Sequence, residues 1–219
     1  MRTRPVPTCV LTSGGLDSAV LLARLLKRGA PVLPLYVRCG LRWEEAELAA
    51  VRRLLKALRS SRLRPLRTVH APLGPLYAGH WSLRGRVPGA RSADAAVYLP
   101  GRNLLLATYA AMACAEARVS TIAFGTLKGN PFGDATPEFF RSLGRCLTHA
   151  LGRPIRIITP LIRVTKTQLI RSAVPAVLAA SFSCLCPRGG APCGACNKCA
   201  ERRRAFARAR VADPTRYAS

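Results

Sequence analysis

Five short apolar runs separated by helical patterns, a glycine turn between the first run and the first helix, and a change of composition after residue 180 predict an α/β fold. The expected architecture is a doubly wound, parallel, five-stranded sheet over residues 1–180, followed by a small C-terminal lobe over residues 181–219. The strand-like runs are 9–11, 32–37, 66–70, 121–124 and 155–158. Helical patterns fall at 18–28, 43–59, 104–117 and 137–150, with a last helix at 165–180. Leu21, Leu22, Leu25 and Leu26 give the first helix one apolar stripe, and Thr136 before Pro137 reads as an N-cap followed by the proline favoured at the first helical position. The stretch 72–96, rich in Gly and Pro and holding Trp81, reads as a long loop beside the sheet, of the kind often used as a lid.

Composition bounds the function classes. At 219 residues and 49% hydrophobic content the chain is globular and long enough to bury a sizeable core. No apolar run spans a bilayer; the nearest, 104–117, is too short and carries Glu116. The two N-terminal arginines lead directly into a first strand and a glycine turn, not into the apolar segment of a signal peptide. A soluble, cytoplasmic protein is expected, with no membrane partner. The net charge of +25 is compatible with a nucleic-acid partner. Only Lys27, Lys56, Lys128, Lys166 and Lys198 among the 35 basic residues are lysines, however, and the scattered arginines lack the interleaved aromatics of single-strand binders. An arginine-rich coding bias accounts for that pattern, so a nucleic-acid partner stays open.

Ser13-Gly14-Gly15-Leu16-Asp17-Ser18 stands between the first strand and the first helix. Two glycines permit a tight turn that exposes amide N–H groups, the helix N-terminus adds its positive end, and Ser13 and Ser18 add hydroxyls. Together these make a cradle for pyrophosphate. Asp17 would repel phosphate there unless it held Mg²⁺ or a backbone amide. Nine cysteines in a cytoplasmic chain argue for metal or catalysis before disulfides. Cys9, Cys39, Cys114 and Cys146 are isolated, whereas Cys184, Cys193, Cys196 and Cys199 follow a C-x8-C-x2-C-x2-C pattern able to wrap one tetrahedral Zn²⁺, with Gly194 permitting the turn between ligands. Four thiolates leave no open position for water, so that zinc is structural. Cys186 is a poorer fifth candidate.

The hexamer resembles the signature of the N-type ATP pyrophosphatases, which cleave ATP between the α- and β-phosphates and transfer AMP to a substrate. It lacks the terminal Gly-Lys-Ser/Thr of a Walker A loop. The resemblance implies an adenine nucleotide alpha hydrolase-like fold, with nucleotide contacts at Leu11, Ser13, Gly14, Gly15, Leu16, Asp17 and Ser18. Further segments resemble the 7-cyano-7-deazaguanine synthases: Pro100-Gly101-Arg102-Asn103, Thr159-Pro160-Leu161 with Lys166, and the C-terminal run from Ser183 and the four cysteines through Arg202, Ala205-Phe206 and Asp213-Pro214-Thr215-x-Tyr217. What this implies is an ATP-dependent ligase that adenylates 7-carboxy-7-deazaguanine, reacts it with ammonia to the amide, and dehydrates the amide to a nitrile, as in queuosine biosynthesis. Such enzymes commonly form homodimers. Ser13, Asp17, Ser18, Arg102 and Lys166 would carry the catalysis, Arg102 and Lys166 also binding the nucleotide by stabilising charge on the α-phosphate or the leaving pyrophosphate.

Two segments depart from that family. Where it carries an aromatic-Pro-Asp-Cys-Arg-Pro-Glu-Phe substrate segment, Asp134, Pro137, Glu138 and Phe139 agree but Ala135 and Thr136 replace the Cys and Arg. Asp134 and Glu138 are expected to read a guanine-like edge and Phe139 to stack on the ring. The run from Tyr36 to Glu44 agrees only loosely with the family's Tyr-Gly-Gln-Arg…Glu. These departures admit a divergent paralogue delivering the same or a related adenylated carboxylate to another amine on a protein or nucleic acid. A non-enzymatic zinc module that binds nucleic acid would fit charge and cysteines but leave the phosphate loop unexplained.

Overall fold

The structure, a computed structural model, describes residues 6–218. Its sheet has five parallel strands in the order β3-β2-β1-β4-β5: β1 (Thr8–Leu11), β2 (Val32–Arg38), β3 (Arg67–His70), β4 (Thr121–Ala123) and β5 (Arg156–Ile158). Parallel strands require crossovers, and helices supply them: α1 (Leu16–Lys27), α2 (Glu44–Leu58), α3 (Arg102–Glu116) and α4 (Pro137–Leu151). The two-residue period of the strands sends neighbours to opposite faces. Cys9, Leu33 and Ile122 pack in one core with Ala107, Ala111 and Phe140 of α3 and α4, while Val10, Val32 and Ala123 pack in a second core with Leu21 and Leu22 of α1. The doubly wound sheet predicted from the alternation is therefore present.

Two features differ from the sequence reading. The last predicted helix, 165–180, is two short helices, α5 (Lys166–Arg171) and α6 (Pro175–Ala180). Pro175 has no N–H to continue α5, and it holds Val174 at φ −70°, ψ 136°, outside the helical region. The C-terminal segment also contains a helix that the sequence reading missed, α7 (Asn197–Ala209), which packs on α5. Phe206 of α7 joins the core of α1, whereas Cys184, Cys193, Cys196 and Cys199 join the core that holds Cys9.

Caps fix the helix starts that matter for the cleft. Thr136 accepts the Phe139 amide at 3.1 Å with Pro137 at the first helical position, as the sequence predicts. Thr165 and Gln168 form a reciprocal capping box that seats Lys166 in the first turn of α5.

Candidate active site

The chain order reverses between β1 and β4, and the loops leaving these two strands open a crevice at their C-terminal ends, where ligands of doubly wound sheets bind. A cavity of about 380 Å³ lies there, within the usual range for small-molecule sites, and a second of about 220 Å³ adjoins it. Ser13, Asp17, Ser18, Glu47, Arg102 and Gly125 line both.

The phosphate loop turns because two glycines allow it. Gly14 has φ +72°, and a Cβ there would stand 2.8 Å from the Glu47 carbonyl oxygen, so both the backbone and the packing against α2 require glycine. Its own carbonyl accepts the Phe182 amide at 2.8 Å, tying the loop to the C-terminal segment. The Gly15 amide donates to Ser13 Oγ at 3.3 Å, and the Ser18 hydroxyl donates to the Gly15 carbonyl at 3.1 Å. A Cβ on Gly125, in the loop after β4, would come within 3.1 Å of the Ser18 nitrogen, so glycine lets that loop lie directly over the start of α1.

Asp17 and Lys166, 149 residues apart, meet here. The Lys166 ammonium donates to both Asp17 oxygens at 2.8 Å and stands 3.6 Å from Glu201, which also receives Lys198 at 2.6 Å. Burial works against the Lys166 charge, but Asp17 and Glu201 outweigh it and hold the ammonium above its ordinary pKa. Glu201 shows the converse: burial opposes its charge, yet the two lysines hold its carboxyl below the usual value. Arg102 follows Gly101 (φ +69°) at the start of α3 and presents a buried Nε with no partner among the described residues. A donor of that kind in a cavity wall is free to meet a ligand or a water.

Glu47 was not singled out in the sequence. Its carboxylate accepts the Tyr36 hydroxyl at 3.0 Å, and burial pushes its pKa up to about 7, with Arg102 and the Tyr36 hydrogen bond pulling the other way. Its spacing carried a signal: Glu47 precedes Val51 and Leu54, both fully buried, by four and seven residues on one helical stripe. Lys198, Glu201 and Trp43 are further residues of the cleft outside the sequence reading, and Trp81 reaches it from the long loop that the sequence marked. Trp43 and Trp81 stack with centroids 5.7 Å apart, so part of the loop 72–96 does form a wall of the crevice. The loose match from Tyr36 to Glu44 has a structural role. Glu44 is buried, and its carboxylate closes the turn after β2 by accepting the Gly40 amide at 2.8 Å and Arg38 at 2.7 Å.

Of the nucleotide contacts expected from sequence, Ser13, Gly15, Leu16, Asp17, Ser18, Arg102 and Lys166 line the larger cavity, Leu11 lines the smaller, and Gly14 faces α2. The three expected substrate contacts stand apart from both cavities. Asp134 accepts the Asn103 backbone amide at 3.0 Å and the Asn103 side chain at 3.3 Å, which makes it a cap for α3 supplied from a distant loop. Glu138 is exposed on the first turn of α4, and Phe139 meets Phe140 edge-on at 5.3 Å.

The sulfurs of Cys184, Cys193, Cys196 and Cys199 all lie within 4.8 Å of one another, and all four residues are buried. Sulfurs about 2.3 Å from a tetrahedral zinc stand roughly 3.8 Å apart; the observed separations are 3.5 Å (Cys196–Cys199), 3.9 Å (Cys184–Cys196) and 4.0 Å (Cys193–Cys199). Backbone amides of Cys186 and Cys193 point at Cys184 Sγ from 3.2 Å, as the outer partners of thiolate ligands do. Donor set and geometry fit zinc. Cys186 thus contributes its amide rather than its thiol.

The C-terminal motif has a mechanical explanation. Asp213 accepts Arg202 Nε at 3.0 Å and the Tyr217 hydroxyl at 2.7 Å, and Arg202 in turn donates to Ser181 and to the Leu178 carbonyl. This clamp seats α7 against α6.

Residues 8–210 match the model of the queuosine biosynthesis protein QueC family. The chain is 34% identical to the 7-cyano-7-deazaguanine synthase of an Anaeromyxobacter species, with 99% of each chain covered. It is 33% identical to that of Methylococcus capsulatus, covering 97% of this chain and 99% of the relative. Among solved structures it is similar to a 4-thiouridine synthetase–RNA complex with bound ATP, with a TM-score of 0.53 at 22% identity over 94% of this chain and 50% of that one. That likeness concerns the fold.

Proposed function

Because the chain belongs to the queuosine biosynthesis QueC family, we propose that it is an ATP-dependent carbon–nitrogen ligase, a 7-cyano-7-deazaguanine synthase. It adenylates 7-carboxy-7-deazaguanine, passes the acyl group to ammonia, and activates the resulting amide a second time to form the nitrile. The observation that carries this reading is the meeting of the Ser13–Ser18 loop with Lys166 and Arg102 in one crevice at the switch point of the sheet.

The roles follow from what each group can donate. Ser13, Gly15 and Ser18 offer hydroxyl and amide donors at the start of α1, where the helix favours an anion. Leu11 and Leu16 flank that cradle, and Gly14 makes the turn possible. Lys166 and Arg102, whose buried Nε has no partner among the described residues, face the triphosphate and stabilise charge that builds as pyrophosphate leaves. Asp17, neutralised by Lys166 in the free protein, is the carboxylate available to Mg²⁺, which would offset phosphate charge. Bringing the acyl-adenylate and ammonia together in one crevice is chiefly a positioning task. Asp134 acts on the substrate through Asn103 and the first turn of α3, which carries Arg102; Glu138 and Phe139 complete the segment at the mouth of α4. The four cysteines would hold a zinc of structural role, since four sulfurs leave no position for water.

No helix among the described residues is long and apolar enough to cross a membrane. The ATP requirement and reduced thiols suit the cytoplasm, and the protein acts there on small molecules as a homodimer. The test is the product mass after incubation of purified protein with the carboxydeazaguanine, ATP, Mg²⁺ and ammonium. A nitrile or amide product with release of AMP and pyrophosphate is expected; no turnover of the acid would sink the assignment.

A further inference from the structure

The start of α7, with its N-cap Cys196, serves two sites. Cys196 and Cys199 point to the four-sulfur cluster, while Lys198 and Glu201, also three residues apart, line the cleft beside Asp17 and Lys166. The charges form a row from α1 through α5 to α7: Asp17 to Lys166 at 2.8 Å, Lys166 to Glu201 at 3.6 Å, and Glu201 to Lys198 at 2.6 Å. All four side chains are partly open to the cleft, between 27% and 35% exposed.

Arg202, the next residue after Glu201, marks the contrast. It also borders the cavity, but its guanidinium is taken up by Asp213, Ser181 and the Leu178 carbonyl, and its side chain is 2% exposed. Three of its five N–H donors are spent inside the fold, and its burial keeps the guanidinium out of the cleft. Lys198 has Glu201 as its one charged partner among the described residues, and an ammonium has three donors to give. In the free protein two carboxylates and two ammonium groups cancel. Once Asp17 is drawn to a metal-bound polyphosphate, Lys166 and Lys198 share Glu201 between them, and this end of the cleft becomes positive where the phosphates need it.

Resting on the ATP-dependent reading above, we propose that Lys198 is a phosphate-binding cation of the ATP site, held over the cleft by Glu201, so that the cysteine cluster fixes one wall of that site through α7. The experiment is the Kd for ATP with magnesium, measured by calorimetry on the full-length, zinc-loaded protein. Lys198→Ala should weaken binding by about tenfold or more, the scale of one charge-assisted phosphate contact, with one zinc per chain retained. Lys198→Arg should keep most of the affinity. If Lys198→Ala loses its zinc, Lys198→Gln, which keeps a polar side chain and drops the charge, decides the matter by the same measurement. Wild-type affinity in the charge-less variant overturns this proposal alone, whereas a wild-type protein that binds no ATP takes down the ligase reading with it.

Discussion

The phosphate loop and the segment from Asp134 to Phe139 are each six residues long, yet they relate to the cleft in opposite ways. In Ser13–Ser18 nearly every residue that the motif marks faces the crevice. In the second segment the marked acids do not: Asp134 is spent on Asn103 and Glu138 faces solvent. The difference lies in what positions the side chains. A turn between a central strand and the helix that follows has its direction set by β1 and α1 within a few residues, so the local sequence is enough. A loop ahead of an outer helix takes its side-chain directions from partners elsewhere, here the N-terminus of α3, some thirty residues earlier.

Replacing Asp17 by Ala should produce the largest effect and sharpen that contrast. Turnover is expected to fall at least about hundredfold, read as AMP release at saturating ATP, with the melting temperature little changed, because Asp17 forms its ion pair across an accessible cleft. Ordinary turnover in this variant would remove the loop from the chemistry.

Asp134→Ala should act mainly on the fold. Loss of the cap bond to the Asn103 amide and of the bond to the Asn103 side chain predicts a destabilisation of about 1–2 kcal/mol by urea unfolding, with a smaller loss of activity arising through the first turn of α3. Should stability hold while KM for the deazaguanine acid rises tenfold, the comparison breaks, and Asp134 reads the substrate directly.

Glu47 gives a third way to probe the cleft, through pH. Burial keeps its carboxyl protonated to about 7 in the folded chain, against an ordinary 4.5. The folded state therefore holds a proton that the unfolded chain has released, and Glu47's contribution to stability is full below 4.5 and lost as pH rises through about 7. Melting temperatures of the wild type and Glu47→Gln, followed from pH 4.5 to 8, should diverge, the wild type alone losing stability over that window. Parallel curves would mean that Glu47 is already ionised. The smallest change belongs to Glu138→Ala: KM for the acid should stay within about twofold, as for an exposed charge without a partner.

Much was legible in residues 8–18, 32–37 and 184–199, and for one reason: each signal is complete within a short span. Strand period, helix stripe, the proline-led cap at Thr136 and the cysteine spacing express backbone geometry that neighbouring residues impose on one another. The break at Pro175 was equally local and could have been read from the proline alone. Helix α7 was harder to see, since its arginine-rich outer face hides the stripe of Cys199, Arg202, Ala205, Phe206 and Ala209 that it buries.

By itself, then, the sequence determined the five-stranded doubly wound sheet, the glycine turn at the first helix and the four-cysteine cluster, because these depend on periodicity and spacing along the chain. Only the tertiary structure decided which charges share the crevice. It joined Asp17 to Lys166 across 149 residues, turned Lys198 and Glu201 of the cysteine helix toward them, set Glu47 half-buried against the Tyr36 hydroxyl, and took Asp134 away to cap α3. Pairing and desolvation of charge are set by distance in space, and that distance exists only after the helices have packed on the sheet.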